Sequence, residues 1–140
     1  MRVVSVLSAI LAAASLAGCA SHLPALPANV SIGAPTAMPS PVARSGDAAP
    51  ELLGARFSAL DVRRGQTWSG SFVTGTNVAS LEVRSNLFSI DVPRTAFGRF
   101  AFSLDMLDVP PIFVRKYALR IIARNSAGVE AEEDVPFEIR

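Results

Sequence analysis

Hydrophobic and polar positions fall into three regimes along the chain. After a positive start at Met1-Arg2, Val3 to Leu16 is apolar apart from three serines. Residues 20–50 have no such density: Pro24, Pro27, Pro35, Pro39, Pro41 and Pro50 interrupt a run of Ala, Ser and Gly, and the few large apolar residues show no sustained period. From about Glu51 onward aromatic residues enter and alternation takes over.

The alternation has period two. Leu60 and Val62 oppose Asp61 and Arg63; Trp68, Gly70 and Phe72 share a face against Ser69, Ser71 and Val73. Leu81 and Val83 alternate with Glu82 and Arg84, and Phe88, Ile90 and Val92 with Ser89 and Asp91. Phe100, Phe102 and Leu104 oppose Ala101, Ser103 and Asp105; Tyr117, Leu119, Ile121 and Ala123 oppose Ala118, Arg120, Ile122 and Arg124. Val135, Phe137 and Ile139 close the series. Turn signals separate these segments at Arg64-Gly65, Gly75-Thr76-Asn77, Ser85-Asn86, Pro93, Gly98, Pro110-Pro111 and Asn125-Ser126-Ala127-Gly128. Side chains of a strand alternate between faces, so about seven such segments predict an all-β, two-layer antiparallel β-sandwich. Roughly ninety residues suffice for such a core without disulfides, and residues 51–140 contain no cysteine.

The first regime has the layout of a secretory signal, and its apolar run is short for a span, which needs about 20 residues. It ends in Leu16-Ala17-Gly18-Cys19. This segment resembles the lipobox of bacterial lipoproteins, in which signal peptidase II cuts before the cysteine and the thiol carries a diacylglycerol. The resemblance implies a signal peptide over 1–18, recognition through Leu16, Ala17 and Gly18, and lipidation of Cys19. Small Ala17 and Gly18 let an extended backbone enter a peptidase, and a thiolate is a good nucleophile for alkylation. A cut after Ala20, which removes Cys19 with the signal peptide and releases a soluble protein, is the alternative. Ala20, not Asp, follows the cysteine, which in that family leans toward the outer membrane facing the periplasm.

Residues 19–50 then read as the lipidated N-terminus and a disordered Pro/Ala-rich linker, because proline this dense forbids a helix and starves a sheet of donors. Polyproline-like extension would stretch it to about 90 Å and a flexible coil to about 30 Å. His22 lies there without partners for metal binding or catalysis.

Within residues 51–140, Tyr117-Ala118-Leu119-Arg120-Ile121-Ile122-Ala123-Arg124-Asn125-Ser126-Ala127-Gly128 resembles the next-to-last strand and closing turn of bacterial immunoglobulin-like and fibronectin type III-like domains. The resemblance implies an immunoglobulin-like sandwich with Val135–Ile139 as its last strand. Tyr117 is expected to bury its ring and hydrogen-bond through its hydroxyl, and Asn125 and Gly128 suit left-handed turn positions.

Composition narrows the chemistry. The formal net charge is +1, so the chain lacks the basic field that nucleic-acid binding uses. Its one Cys and one His both precede residue 23, so residues 51–140 hold no Ser-His-Asp or Cys-His set and no His- or thiolate-based metal site. Lys116, the only lysine, reads as a solvated strand residue, and no glycine-rich phosphate loop occurs. Carboxylates remain: Asp91, Asp105 and Asp108 are nominal candidates for paired acid–base work. Glu130, Glu132, Glu133 and Asp134 could hold calcium, but Asn125 stands where calcium-binding relatives often carry Asp. These carboxylates read first as solvated surface charges. An exposed Trp68 would stack on sugars or a peptide, although Gly70 and Phe72 on its face favour a core position. Pro110-Pro111-Ile112-Phe113 reads as an apolar docking loop or as a plug for one end of the sandwich.

The expectation is a lipid-anchored, non-enzymatic envelope interaction module that binds a protein or glycan, with no cofactor and no metal. An accessory subunit of a larger envelope complex is the second reading, and a small carboxylate-dependent hydrolase the third.

Overall fold

A computed structural model describes residues 22–33 and 37–140. The signal segment, with Leu16, Ala17, Gly18 and Cys19, lies outside the described residues.

Strands β1 (Val30–Ile32), β2 (Leu52–Phe57), β3 (Asp61–Val62), β4 (Thr67–Thr74), β5 (Val78–Arg84), β6 (Ser89–Val92), β7 (Arg94–Ala96), β8 (Arg99–Asp105), β9 (Lys116–Asn125) and β10 (Glu130–Ile139) carry the structure, with one 3-10 turn at Pro111–Phe113. They form two five-stranded sheets, in the orders β1-β2-β4-β8-β7 and β3-β10-β9-β5-β6. Every pairing is antiparallel except β1 with β2 and β3 with β10, which are parallel. The expected two-layer all-β sandwich is therefore present, but with mixed sheets and ten strands where about seven were read from the sequence.

Alternation explains the core. Trp68, Phe72, Phe100, Phe102, Leu119, Ile121, Val135 and Phe137 come from alternating positions of β4, β8, β9 and β10 and are buried together. Gly70 sits opposite Phe102 across the β4–β8 ladder, and a Cβ there would lie 2.5 Å from a Phe102 ring carbon. The missing side chain is the space the ring occupies. Phe57 stacks on Trp68 with centroids 5.9 Å apart, and Phe137 tilts over Trp68 at 4.5 Å. Such aromatic burial is the main favourable term in a core of this size.

The stretch read as a disordered linker is corrected in part: its described residues lie on the sandwich. Val30–Ile32 pair with Ala55–Phe57. The Asn29 side chain donates to the Leu52 carbonyl and to the Glu133 carboxylate at 2.9 Å. Pro39 fits against Gly54 and Pro41 against Gly98, where a Cβ would meet a proline carbon at 3.0 Å and 2.6 Å. The Ala48 carbonyl accepts from the side chains of Asn77 and Asn125. Prolines without donors suit such edge and slot positions, where no ladder bond is required of them.

Candidate functional site

The two ends of the sandwich differ. At one end lie the turns Gly75–Asn77, Phe97–Gly98 and Asn125–Val129, pinned by Val42, Glu51 and Ala48. The other, here the C-terminal pole, gathers the turn after β3, the loop between β8 and β9 and the end of β10. Arg64 N–H donates to the Arg140 carbonyl, Gly65 N–H to Met106, and Ile139 N–H to Arg115.

A cleft of about 490 Å³ opens at this pole. One wall is the start of β6, with Phe88 and Ile90; the other is the end of β8 and the loop beyond it, with Leu104, Met106 and Val109. Phe113, from the 3-10 turn, and Ile139 complete the lining, and Trp68 closes the floor. The position of each follows from local causes. The Ser85 hydroxyl accepts from the amides of Leu87 and Phe88, which tightens the β5–β6 turn and aims Phe88 at Tyr117, ring centroids 5.7 Å apart. Pro111 opens the 3-10 turn, a first-turn position where its missing N–H costs nothing. Tyr117 then ties the turn down: its hydroxyl donates to the Phe113 carbonyl at 2.6 Å. The ring is buried as the sequence implied, and burial pushes the phenol upward, so it remains a donor.

The sequence-nominated residues separate here. Pro110 and Phe113 line the cleft, while Pro111 is exposed beside it. Ile112 stands 61 % exposed at the tip. Trp68 is 0 % exposed and its indole N–H is taken by the Ala59 carbonyl at 3.0 Å; the stacking platform that an exposed Trp68 would offer is therefore corrected to a core position. Asp105 and Asp108 both reach the cleft rim, and Asp105 accepts from the Thr67 hydroxyl at 2.8 Å. Asp91 lies on β6, cross-strand from Glu82. Of the β10 carboxylates, Glu130 pairs with Arg124, Glu132 and Asp134 with Arg120, and Glu133 accepts from Asn29.

Asn125 corrects the reading of the β9–β10 turn. Among the described residues no non-glycine residue has positive φ; Gly128 alone of the two takes the left-handed position, at φ 82. Asn125 instead accepts from Ala127 and Val129 amides through its side-chain oxygen, an Asx-type cap.

Glu82 is the residue that sequence reasoning passed over. It occupies an outward-facing position of β5, yet it is 5 % exposed. Arg84 chelates it at 2.7 and 2.9 Å, Arg124 reaches it at 2.9 Å, and the Ser89 hydroxyl donates to it. The Ser89 hydrogen bond, then those of the two arginines, outweigh burial and hold the carboxyl down at about 2. Ile122, its cross-strand neighbour, is buried beside it on the same outer face.

Compared with known proteins, the chain matches no family model and no curated protein sequence. Among the described residues no helix is long and apolar enough to cross a membrane.

Proposed function

We propose that this protein is a lipid-anchored, non-enzymatic module of a bacterial cell envelope, working by contact through the cleft at its C-terminal pole. The observation that carries this reading is a division of labour. The sole thiol stands in the Leu16-Ala17-Gly18-Cys19 sequence, while the described residues form an apolar cleft and hold neither Cys nor His beyond residue 22. Anchor and contact surface are separate parts of one chain.

The strand order supports an immunoglobulin-type body. One sheet runs β1-β2-β4-β8-β7 and the other β3-β10-β9-β5-β6, so the consecutive strands β2 and β3 fall in different sheets, and β2-β4-β8-β7 and β10-β9-β5 correspond to the two sheets of such a sandwich. Tyr117 sits at the start of β9 with its hydroxyl on a carbonyl four residues upstream, the geometry of the tyrosine corner in such sandwiches. That scaffold hosts many roles, so the contact surface and not the fold carries the function. With the Trp68 ring in the core, a flat sugar-stacking face has little support, and the cleft favours an apolar partner.

Residence at the outer membrane, facing the periplasm, follows from Ala20 and Ser21 after the lipidated cysteine. Two or three acyl chains hold a protein firmly, at about 0.8 kcal/mol per buried methylene, whereas one binds marginally. Intact-mass measurement of the mature chain should give a diacylglycerol-modified N-terminal Cys19, and Cys19→Ala should release the protein from membranes. A mature chain beginning at Ser21 and free of lipid would refute the reading.

A further inference from the structure

The contact proposed above leaves its partner open, and the path of the chain before β1 narrows it. Leu23 and Leu26 lie against Leu60 and Pro136–Glu138, beside Arg140, in a second apolar cleft of about 420 Å³. Leu60 to Asp61 and Arg140 belong to the C-terminal pole, through Glu138 N–H on the Leu60 carbonyl and Arg64 N–H on that of Arg140. The chain therefore enters the described structure at the pole that carries the main cleft. Cys19 precedes Leu23 by four residues, which reach at most about 14 Å when fully extended.

The surface of that pole is unusual for a face meeting only water. Leu107 is 67 % and Ile112 61 % exposed, both in the β8–β9 loop, and Leu87 stands 40 % exposed at the β5–β6 turn. Around them Arg63, Arg64, Arg115 and Lys116 form no salt bridge among the described residues, whereas Asp61 is neutralised by Arg140. Asp105 and Asp108 also reach this pole without a salt bridge among the described residues, so four cations stand against two carboxylates, and apolar tips within that cationic excess match the boundary between acyl chains and anionic headgroups. The far end carries one exposed aromatic, Phe97, 72 % exposed with the Arg94 guanidinium 5.2 Å from its ring centre, whereas the C-terminal pole groups three exposed apolar side chains.

We propose that the C-terminal pole rests on the membrane that holds the anchor, with Leu107 and Ile112 inserted at the headgroup boundary; this builds on the lipid-anchored reading of Cys19. The short reach from anchor to pole presses these tips against the bilayer. The first cleft then faces lipid, and acyl chains are the apolar partner.

The test uses the lipidated full-length mature chain in phosphatidylethanolamine vesicles containing phosphatidylglycerol. With the Cys19 sulfur alkylated, Ile112→Cys or Ser126→Cys supplies the only reactive thiol for a fluorophore, one at each pole. Acyl-brominated lipid should quench the label at 112 about threefold or more beyond that at 126, as insertion of 5–10 Å requires. Equal quenching at the two poles overturns membrane docking while leaving the anchor intact. A wild-type chain that takes up the label at Cys19 overturns the anchor, and the docking with it. Both labelled positions are exposed turn sites, and a strand-type circular dichroism spectrum establishes that each variant is folded.

Discussion

Replacing Glu82 with Gln is the sharpest test of the charge cluster on the outer face of the β10-β9-β5 sheet. Glutamine keeps the shape and an acceptor for Ser89, but it puts a neutral amide where Arg84 and Arg124 converge. The folded chain holds the native carboxyl at about 2 against an ordinary 4.5. At about 1.4 kcal/mol per pH unit, that difference corresponds to about 3 kcal/mol of stability at neutral pH. Arg84 is half open to water, so screening reduces the expected cost to about 2 kcal/mol. Because the folded pKa is depressed, the contribution is complete above about pH 4.5 and disappears as pH falls through about 2. Urea unfolding followed by the fluorescence of buried Trp68 measures both proteins across this range. The difference between the two chains reports Glu82 together with the Arg124–Glu130 pair, with which it shares Arg124. A gap of about 2 kcal/mol at pH 7 that closes toward pH 2 is expected. A gap that stays constant with pH would refute the ionic account.

Three further substitutions probe packing and the N-terminal arm. Tyr117→Phe removes the donor to the Phe113 carbonyl and should cost about 1 kcal/mol in chemical denaturation, with an unchanged denaturant slope. Gly70→Ala drives a methyl into the Phe102 ring and should cost about 1–3 kcal/mol, read as a lowered melting temperature. Asn29→Ala removes the side-chain ties from the arm to Leu52 and Glu133; amide exchange at Val30–Ile32 should accelerate about fivefold, the equivalent of about 1 kcal/mol, while that of β9 stays unchanged.

What was legible in the sequence follows from where alternation is clean. Most inward residues of β4, β8, β9 and the end of β10 are the ones the period-two pattern named, because these strands turn one face to the core; Leu104, read as inward, is instead 42 % exposed at the cleft, and Val73 and Ile122, read on the opposing face, are buried. β2 escaped because Leu52-Leu53-Gly54-Ala55 does not alternate, and its register shifts between Leu52 and Gly54. β1 escaped because three residues amid prolines carry no period; its pairing depends on β2, more than twenty residues later. Glu82 was passed over for a related reason. Its alternation position is outward as expected, but burial came from arginines on its own strand and on β9, whose side chains lie over it. The cleft was legible only in fragments: Phe113 and Pro110 were singled out as a loop, and nothing in the local sequence brings that loop to Phe88 and Ile90.

The parallel pairing of β1 on β2 has a consequence for solubility. Open strand borders invite another chain to add itself, and proteins blunt them by covering or shortening them. Here Val30–Ile32 shields one border and Asp61–Val62 another, while β6 and β7 are brief and divided by Pro93. A chain cut after residue 33 would bare Leu52–Phe57 to its neighbours, and self-association would compete with folding. The same few residues that precede the sandwich thus also guard it against its own copies.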